Sequence, residues 1–479
     1  MTAARNSNPL PLQTHCSRLL HLEHGYRTTS GPVRVGLVWP NSYASAMGSL
    51  GFVWLWQSLA IKGVTASHRY LGETPFFQQN TPPASLEGQL PMQECDLLAV
   101  SISYELDVVT FVQMLHGAGI PPLAAHRTAH DPLVIGGGPL TRSNAELLRP
   151  FCDLTIVGDG ERALATLSDT MAIDVTREAI LESVSSLPEV ATWSRPEQGL
   201  CHAPASTMPL VAPGWAEHSA FGPVSLVEVS RGCPKECTFC IGRSDNAPLR
   251  LAPADKVIAA IPASSPGLGI IGAAAGFYPD MQHLLEWAAD AGKTAGVSSL
   301  RADRLDPELL GLLARTGTTV LTVAADGASQ RIRDQVGKDV APEHLMRAAH
   351  MARDASMNAM KIYMMLGYPG EQAEDIEELA DLANRLNRIL PVVLSTAILV
   401  PKKTTPLGKS LFAPLKTINS QVKLLRKRLS GGIRVARVSP REAQIQHLLS
   451  HLSADEAKRL VRVALQGAHY SDWKEEFGL

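Results

Sequence analysis

Residues 228–240 read Glu228-Val-Ser-Arg-Gly-Cys-Pro-Lys-Glu-Cys-Thr-Phe-Cys240, and Cys233, Cys237 and Cys240 stand there in the spacing C-x3-C-x2-C. The run just before, Pro223-Val-Ser-Leu-Val-Glu-Val229, is apolar and alternating and predicts a strand, so the thiols fall in a loop past a strand's C-terminal end. Such a loop can fold three thiolates around one inorganic centre. A closed structural zinc site uses four protein ligands, and no fourth Cys follows; the next His is His283. A 4Fe-4S cluster also takes four thiolates, so three leave one iron without a protein ligand, open to a substrate or cofactor.

At 479 residues the chain is long enough for about three domains. Hydrophobic residues at 45% and charged residues at 19% describe a globular protein with a sizeable core. The 44 Lys plus Arg nearly balance 46 Asp plus Glu, so no global field favours nucleic acid or a membrane surface as partner. There is no run of 18 or more uncharged apolar residues, and Met1-Thr-Ala-Ala-Arg-Asn-Ser7 lacks a secretory apolar segment. The expectation is a soluble cytoplasmic protein. Cys16, Cys95, Cys152 and Cys201 are scattered, which argues against a disulfide framework or a second locally built cluster.

Ahead of the thiol loop, residues 1–30 read as polar and irregular. Strands are predicted at Val33–Pro40, Cys95–Ser103, Pro132–Pro139 and Cys152–Glu161, with helical spacing over Ser45–Ile61 and Leu106–Ala118. Strands alternating with helices predict an open, doubly wound parallel sheet whose ligand lies beyond the strands' carboxyl ends. A helix at Arg177–Ser186 and a Pro- and Ala-rich stretch predict a linker over 176–220. From Val224 to Val400 six strand-helix units follow, predicting a partial (β/α)6 barrel with its chemistry at the strand C-termini. The remainder reads as a basic helix at Gln421–Leu429, a strand at Gly431–Val438 and two short helices within Pro440–Gly467, a small α/β tail. Lys423, Arg426, Lys427 and Arg428 on the basic helix read as a solvated face in preference to a nucleic-acid contact.

The thiol spacing, with the aromatic Phe239 before the last Cys, resembles the signature of the radical S-adenosylmethionine (SAM) enzymes, and nearly the whole chain resembles the subgroup with an N-terminal cobalamin-binding-type domain. The resemblance implies a 4Fe-4S cluster on Cys233, Cys237 and Cys240 whose open iron chelates SAM, and reductive cleavage to a 5′-deoxyadenosyl radical. Phe239, Gly272 and Gly276 would line SAM, with Gly272–Gly276 offering backbone to its amino group without the acid usual there. Ser299 and Arg301 would face the ribose or carboxylate, Asp326 would lie near the ribose, and Gly367 and Gly370 would shape a loop against the adenine. In the first domain the resemblance implies corrin contacts at Ser101, Ser103, Gly136, Gly137, Gly138 and Gly158. The loop Trp39-Pro-Asn-Ser-Tyr-Ala-Ser-Ala-Met-Gly48 departs from the cobalamin pattern in having no His, so any corrin would lack an imidazole ligand from it.

The resulting expectation is an α/β chain: an N-terminal extension over 1–30, a doubly wound, Rossmann-like cobalamin-binding-type domain over 31–175, a linker over 176–220, the radical SAM partial barrel over 221–415 and an α/β tail over 416–479. Its reaction is read as cobalamin-associated methyl transfer or radical rearrangement of an unidentified substrate, fed by a reductant such as flavodoxin or ferredoxin. Cobalamin-free hydrogen abstraction or methylthiolation stays open, as does a non-catalytic iron-sulfur or nucleic-acid-binding role.

Overall fold

Apolar strands ending in tight turns build the first half of the chain. In a computed structural model that describes residues 12–479 apart from 193–194, 196–199, 245–247 and 437, Val33–Trp39 (β1), Thr65–Leu71 (β2), Leu97–Ser101 (β3), Leu133–Gly137 (β4) and Leu154–Ile156 (β5) form a parallel sheet in the order β2-β1-β3-β4-β5. Val190–Ala191 (β6) adds an antiparallel edge next to β5. The strands are largely buried on both faces, as a helix-covered parallel sheet requires. Helices Leu50–Ser58 and Glu161–Ile173 cover one face; helix Asp107–Gly117 covers the other.

Three expectations are corrected here. Residues 12–21 form a helix that buries Cys16 and Leu19, so the N-terminal region is not irregular throughout. The helix read over Ser45–Ile61 is two, Tyr43–Met47 and Leu50–Ser58, because the Ser42 and Ser49 hydroxyls each accept a backbone N–H and cap a fresh start on either side of Gly48. The stretch 176–220 is only partly a linker: helix Arg177–Ser185 packs on the first sheet and β6 extends it, while Val211 bridges to Val227 of the barrel.

The second half comprises Ser225–Arg231 (β7), Arg250–Leu251 (β8), Gly267–Gly272 (β9), Thr294–Val297 (β10), Val320–Asp326 (β11), Ala359–Leu366 (β12), Val392–Ile398 (β13) and Arg434–Val435 (β14). The orders are β8-β7-β9-β10 and β11-β12-β13-β14, and a parallel bridge between Leu300 and Val323 joins the two sets. The six principal strands β7, β9, β10, β11, β12 and β13 are each followed by a helix on the outer face, giving the expected partial (β/α)6 barrel. Alternation along β12 separates outside from inside. Met360, Ile362, Met364 and Leu366 are buried in the barrel's core, whereas Lys361, Tyr363 and Met365 point to the opposite, lumenal face, where Tyr363 is still 36% exposed. The lumen is therefore open on this side instead of filled.

The tail is not a separate unit. Its strand is two residues long and adds to the barrel beside β13, shorter than the expected 431–438, part of which lies outside the described residues. After that strand come, among the described residues, the helices Pro440–Leu449, Ala454–Ala457, Leu460–Gln466 and Tyr470–Phe477, the first three standing where two were expected; Ser453 caps the second. They pack on the face of the first sheet that helix Asp107–Gly117 covers, beside that helix: Leu460, Val463 and Trp473 join its core, and Asn144 Nδ2 donates to the carbonyls of Leu449 and Leu452 at 3.1 and 3.0 Å.

Candidate active site

The thiol loop leaves β7 through Gly232, whose φ of +74° suits the residue that lacks a Cβ. A second loop, 336–339, holds it from behind: Thr238 N donates to Val336 O at 3.0 Å and the Cys237 thiol to Gly337 O at 3.5 Å. Cys237 is buried, while Cys233 and Cys240 are partly exposed. Burial pushes the Cys237 and Cys240 thiols up, and Lys338 works against that rise at both. Cys240 also senses Cys233, and Cys237 senses Cys240, so the three sulfurs share one neighbourhood. Among the described residues no three His, Cys, Asp or Glu side chains converge tightly enough to hold a single metal ion. Three thiols on one braced loop, two of them partly exposed, are the donor set that a cluster with three protein-bound irons takes.

Phe239 does not stand free. Its ring meets Tyr368 edge-on at 6.2 Å and packs on the apolar cluster of Ile332, Val336, Tyr368 and Leu399, pinning the loop to the strand ends. Asp326 ends β11 with φ +60°, accepts Lys338 Nζ at 2.5 Å, and offers its carbonyl to the Tyr368 hydroxyl at 3.1 Å. Arg301 is buried: it pairs with Asp303 at 3.0 Å and donates to the carbonyls of Lys338 and Asp339 at 3.0 and 3.3 Å. Its guanidinium thus grips the 336–339 loop, a use the family resemblance did not suggest. Ser299 is half-buried past the end of β10, and Gly276 lies against the Arg301 backbone, where a Cβ would come within 3.4 Å of its nitrogen. At Gly272 a Cβ would meet Ser230 Oγ at 2.4 Å, so only glycine permits that approach of β9 to β7.

Gly367 (φ +88°) and Gly370 (φ +76°) shape the loop after β12. The Gly367 amide donates to Glu371 Oε2 at 2.6 Å, and the Gly370 carbonyl accepts from Arg331 at 3.0 Å. Burial raises the Glu371 pKa to about 7. Lys338, Tyr368 and Glu371 were not singled out from sequence. Tyr368 and Glu371 lie inside the Gly-Tyr-Pro-Gly-Glu run, which was a findable signal; Lys338, in a plain Gly-Lys-Asp loop, carried none.

A cavity of about 630 Å³ opens between the two halves. Ser101, Gly136, Gly137, Gly138 and Gly158 line it from the first sheet, and Cys240, Gly242, Ser230 and Gly272 from the barrel. Ser103 is exposed and lies outside this lining, as do Phe239, Gly276, Ser299, Arg301, Asp326, Gly367 and Gly370, which gather on the barrel side. The glycines differ in what they permit. A Cβ on Gly136 would meet Cys152 Sγ at 2.4 Å and one on Gly138 the Ile102 carbonyl at 2.6 Å, whereas on Gly137 it would meet nothing nearer than 3.7 Å.

Charges on the cavity wall are balanced. Asp159 pairs with Arg142, Arg250 and Arg231, and Arg231 also pairs with Glu161 and Glu228. Burial works to raise the Asp159 pKa, but Arg142, the Ala203 amide and the other two arginines outweigh it and hold the carboxyl low. Among the described residues no His lines the cavity. In the loop after β1, Asn41 donates to Asp107 at 2.8 Å and the Trp39 indole to Ser45 at 2.9 Å.

Tyr278 is buried with its hydroxyl on Ala252 O at 2.8 Å, and Lys402 is committed to Glu105 at 2.5 Å. Tyr363 faces the open lumen beneath the Lys361 ammonium, 4.9 Å from its ring centre. The side chain of Arg243 lies outside the described residues.

Two family models match the chain, one for the N-terminal region of radical SAM proteins over residues 70–191 and one for the radical SAM superfamily over residues 227–383. The uncharacterized protein MJ0966 of Methanocaldococcus jannaschii is 26% identical over 380 residues, 78% of this chain and 78% of that one. Among solved structures, the radical SAM methyltransferase TsrM from Kitasatospora setae, bound to its tryptophan substrate and a SAM analogue, superposes with a TM-score of 0.57 at 13% identity over 92% of this chain and 97% of that one. The cobalamin-dependent SAM radical enzyme OxsB gives a TM-score of 0.49 at 12% identity, over 85% of this chain and 58% of that one.

Proposed function

From the premise that this chain belongs to the radical SAM superfamily of enzymes and carries a radical SAM N-terminal region ahead of its partial barrel, we propose that the first domain binds cobalamin and that the chain transfers a methyl group by way of a corrin to a substrate reached through the open barrel lumen. The observation that carries the proposal is the cavity running from Ser101 at the end of β3, the glycines closing β4 and Gly158 past β5 to Cys240. Membership implies a 4Fe-4S cluster and SAM, with an electron donor and a substrate, and it displaces the reading as a non-catalytic scaffold. When bound, these groups supply the low-potential electron and the methyl carriage that side chains lack.

The chain's own contribution is holding, orienting and drying. Cys233, Cys237 and Cys240 are proposed to hold the cluster. Gly272 and Gly276 would bring backbone close to SAM, Ser299 and Asp326 would meet its ribose, and Gly367 with Gly370 would bound its adenine side. Arg301 is assigned instead to holding the 336–339 loop, since its donors are already taken. Ser101, Gly137 and Gly138 would face the corrin, while Gly136, inside β4, and Gly158, at φ +94°, stand where a Cβ would clash. A wall that sets three arginines against three carboxylates carries little net charge and suits a ligand with a neutral amide periphery better than a polyanion. With no His among the described lining residues, the corrin would take no imidazole from them. The first domain caps the cavity, and excluding water protects reactive intermediates from side reactions.

A low-potential protein such as flavodoxin or ferredoxin is proposed as donor; the substrate is not named by the geometry. No helix among the described residues is long and apolar enough to cross a membrane. The test is anaerobic reconstitution with iron and sulfide, then hydroxocobalamin, followed by gel filtration and a visible spectrum. Near-stoichiometric corrin retention, with formation of 5′-deoxyadenosine or a methylated product once SAM and dithionite are added, is expected. A chain that loads the cluster and retains no corrin overturns methyl transfer through cobalt and leaves a corrin-free radical reaction.

A further inference from the structure

The loop behind the cysteines carries a charge that neither the thiol motif nor the family match assigns. Lys338 is 8% exposed, and its ammonium lies 2.5 Å from Asp326 Oδ2. Each end of this pair is fixed. Asp326 sits at the left-handed end of β11 with its carbonyl bonded to Tyr368, and the Lys338 carbonyl takes a hydrogen bond from Arg301 at 3.0 Å. The two residues just before Lys338 accept hydrogen bonds from the thiol loop itself, from Thr238 and Cys237. A buried cation is thus locked in place on the loop that braces the thiol loop from behind.

We infer that Lys338 is an electrostatic positioning residue: its ammonium, clamped by Asp326, favours the more negative, reduced form of the cluster held by Cys233, Cys237 and Cys240 and so raises its reduction potential. The inference rests on the cluster in the proposed function. Reduction adds one electron from a low-potential donor, dithionite in the test below, and forms or breaks no bond in the protein. Each added negative charge is stabilised by a fixed cation and opposed by a fixed anion, most strongly where burial keeps water from screening them. Lys338 and Asp326 therefore act with opposite sign, and the pair Arg301–Asp303, closed on itself at 3.0 Å, contributes a smaller net field. A lysine that merely propped up the loop would give no such ordering.

The experiment is an anaerobic redox titration of the reconstituted full chain, without SAM, read by electron paramagnetic resonance of the reduced cluster, with iron and sulfide content measured on each sample. Lys338→Gln should lower the reduced-to-oxidised ratio at a fixed potential about tenfold, which for a one-electron couple is about 59 mV. Lys338→Arg keeps the charge and should stay within about twofold of wild type. Asp326→Asn should move the ratio the other way, and the double variant should return toward wild type. A Lys338→Gln variant with full iron content and an unmoved or raised potential overturns the inference. If that variant fails to load, Asp326→Asn decides: a potential that does not rise overturns the inference equally. Wild-type protein that takes up no cluster at all overturns the proposed function and this inference together, whereas loaded protein with indifferent potentials sinks only the latter.

Discussion

Lys402→Met should loosen the contact that holds the two halves of the protein against the tail. Lys402 lies just past β13 and Glu105 just past β3, and their 2.5 Å pair is buried, with side-chain exposures of 16% and 4%. Ser450 and Gln446 of the tail complete the cluster, donating to Glu105 at 3.0 and 2.9 Å. Removing one partner of a buried pair costs about 3–5 kcal/mol because the other charge is left stranded. Two neutral donors remain on Glu105, which places the expected loss near the lower end, about 3 kcal/mol at pH 8.

The loss should also depend on pH. In wild type, burial works to raise the Glu105 pKa but Lys402 and Gln446 outweigh it and hold it low, so the group contributes stability above its unfolded pKa that is lost as pH falls through the folded one. Without Lys402 the burial effect is left against the weaker neutral donors, and the variant's deficit should shrink as Glu105 takes up a proton toward pH 5. Urea unfolding at both pH values, read through Trp473 fluorescence in the tail, measures this, and Glu105→Gln closes a double-mutant cycle with an expected coupling of about 2 kcal/mol. A Lys402→Met protein within about 0.5 kcal/mol of wild type at pH 8, or a cycle that is additive, would refute the reasoning.

Ala substitution of Cys233, Cys237 or Cys240 should abolish the brown chromophore of the reconstituted protein, while Cys16→Ala, buried in the first domain's core, should leave the absorption spectrum unchanged. Gly137→Leu projects into the cavity from a position where a Cβ meets nothing nearer than 3.7 Å, so corrin retention should be lost with cluster loading and thermal midpoint nearly intact. Gly136→Ala should do the opposite, destabilising the core by about 1–3 kcal/mol, because its Cβ would lie 2.4 Å from Cys152 Sγ; thermal melting separates the two. Burial raises the Glu371 pKa to about 7, so the native state binds a proton more tightly than the unfolded chain and stability should fall as pH rises from about 4.5 to 7, by up to about 3 kcal/mol. Glu371→Gln should flatten that slope in urea midpoints collected across the range.

What could be read along the chain was whatever depends on near neighbours. The three thiols, the alternation in β7 and β12 and the glycines closing β4 are local patterns, and the structure realises each. Side-chain pairings across long separations could not be read that way. The Lys402–Glu105 contact spans 297 positions, and neither residue's surroundings mark it. Arg301 shows the same limit from another side: resemblance put it near a ligand's ribose or carboxylate, but two of its acceptors, the carbonyls of Lys338 and Asp339, are only visible once the 336–339 loop is placed. The tail's amphipathic helices signalled that some surface must cover them without saying which.

That surface determines how the site is assembled. The cavity has no wall of its own in either half: its glycine-lined edge belongs to the first sheet, and Cys240 and Gly272 belong to the barrel. The halves are held in register by apolar packing of Leu226 and Val224 into the first domain's core and by a tail whose strand joins the barrel while its helices complete the first domain. Loosening the tail should then lower corrin affinity before it lowers cluster content, because the cysteine loop is braced entirely within the barrel by residues 336–339, Phe239 and Tyr368. Lys402→Met protein, assayed for both, should retain wild-type iron while its apparent corrin dissociation constant rises several-fold. Parallel loss of iron and corrin would mean that the two sites are not separately supported.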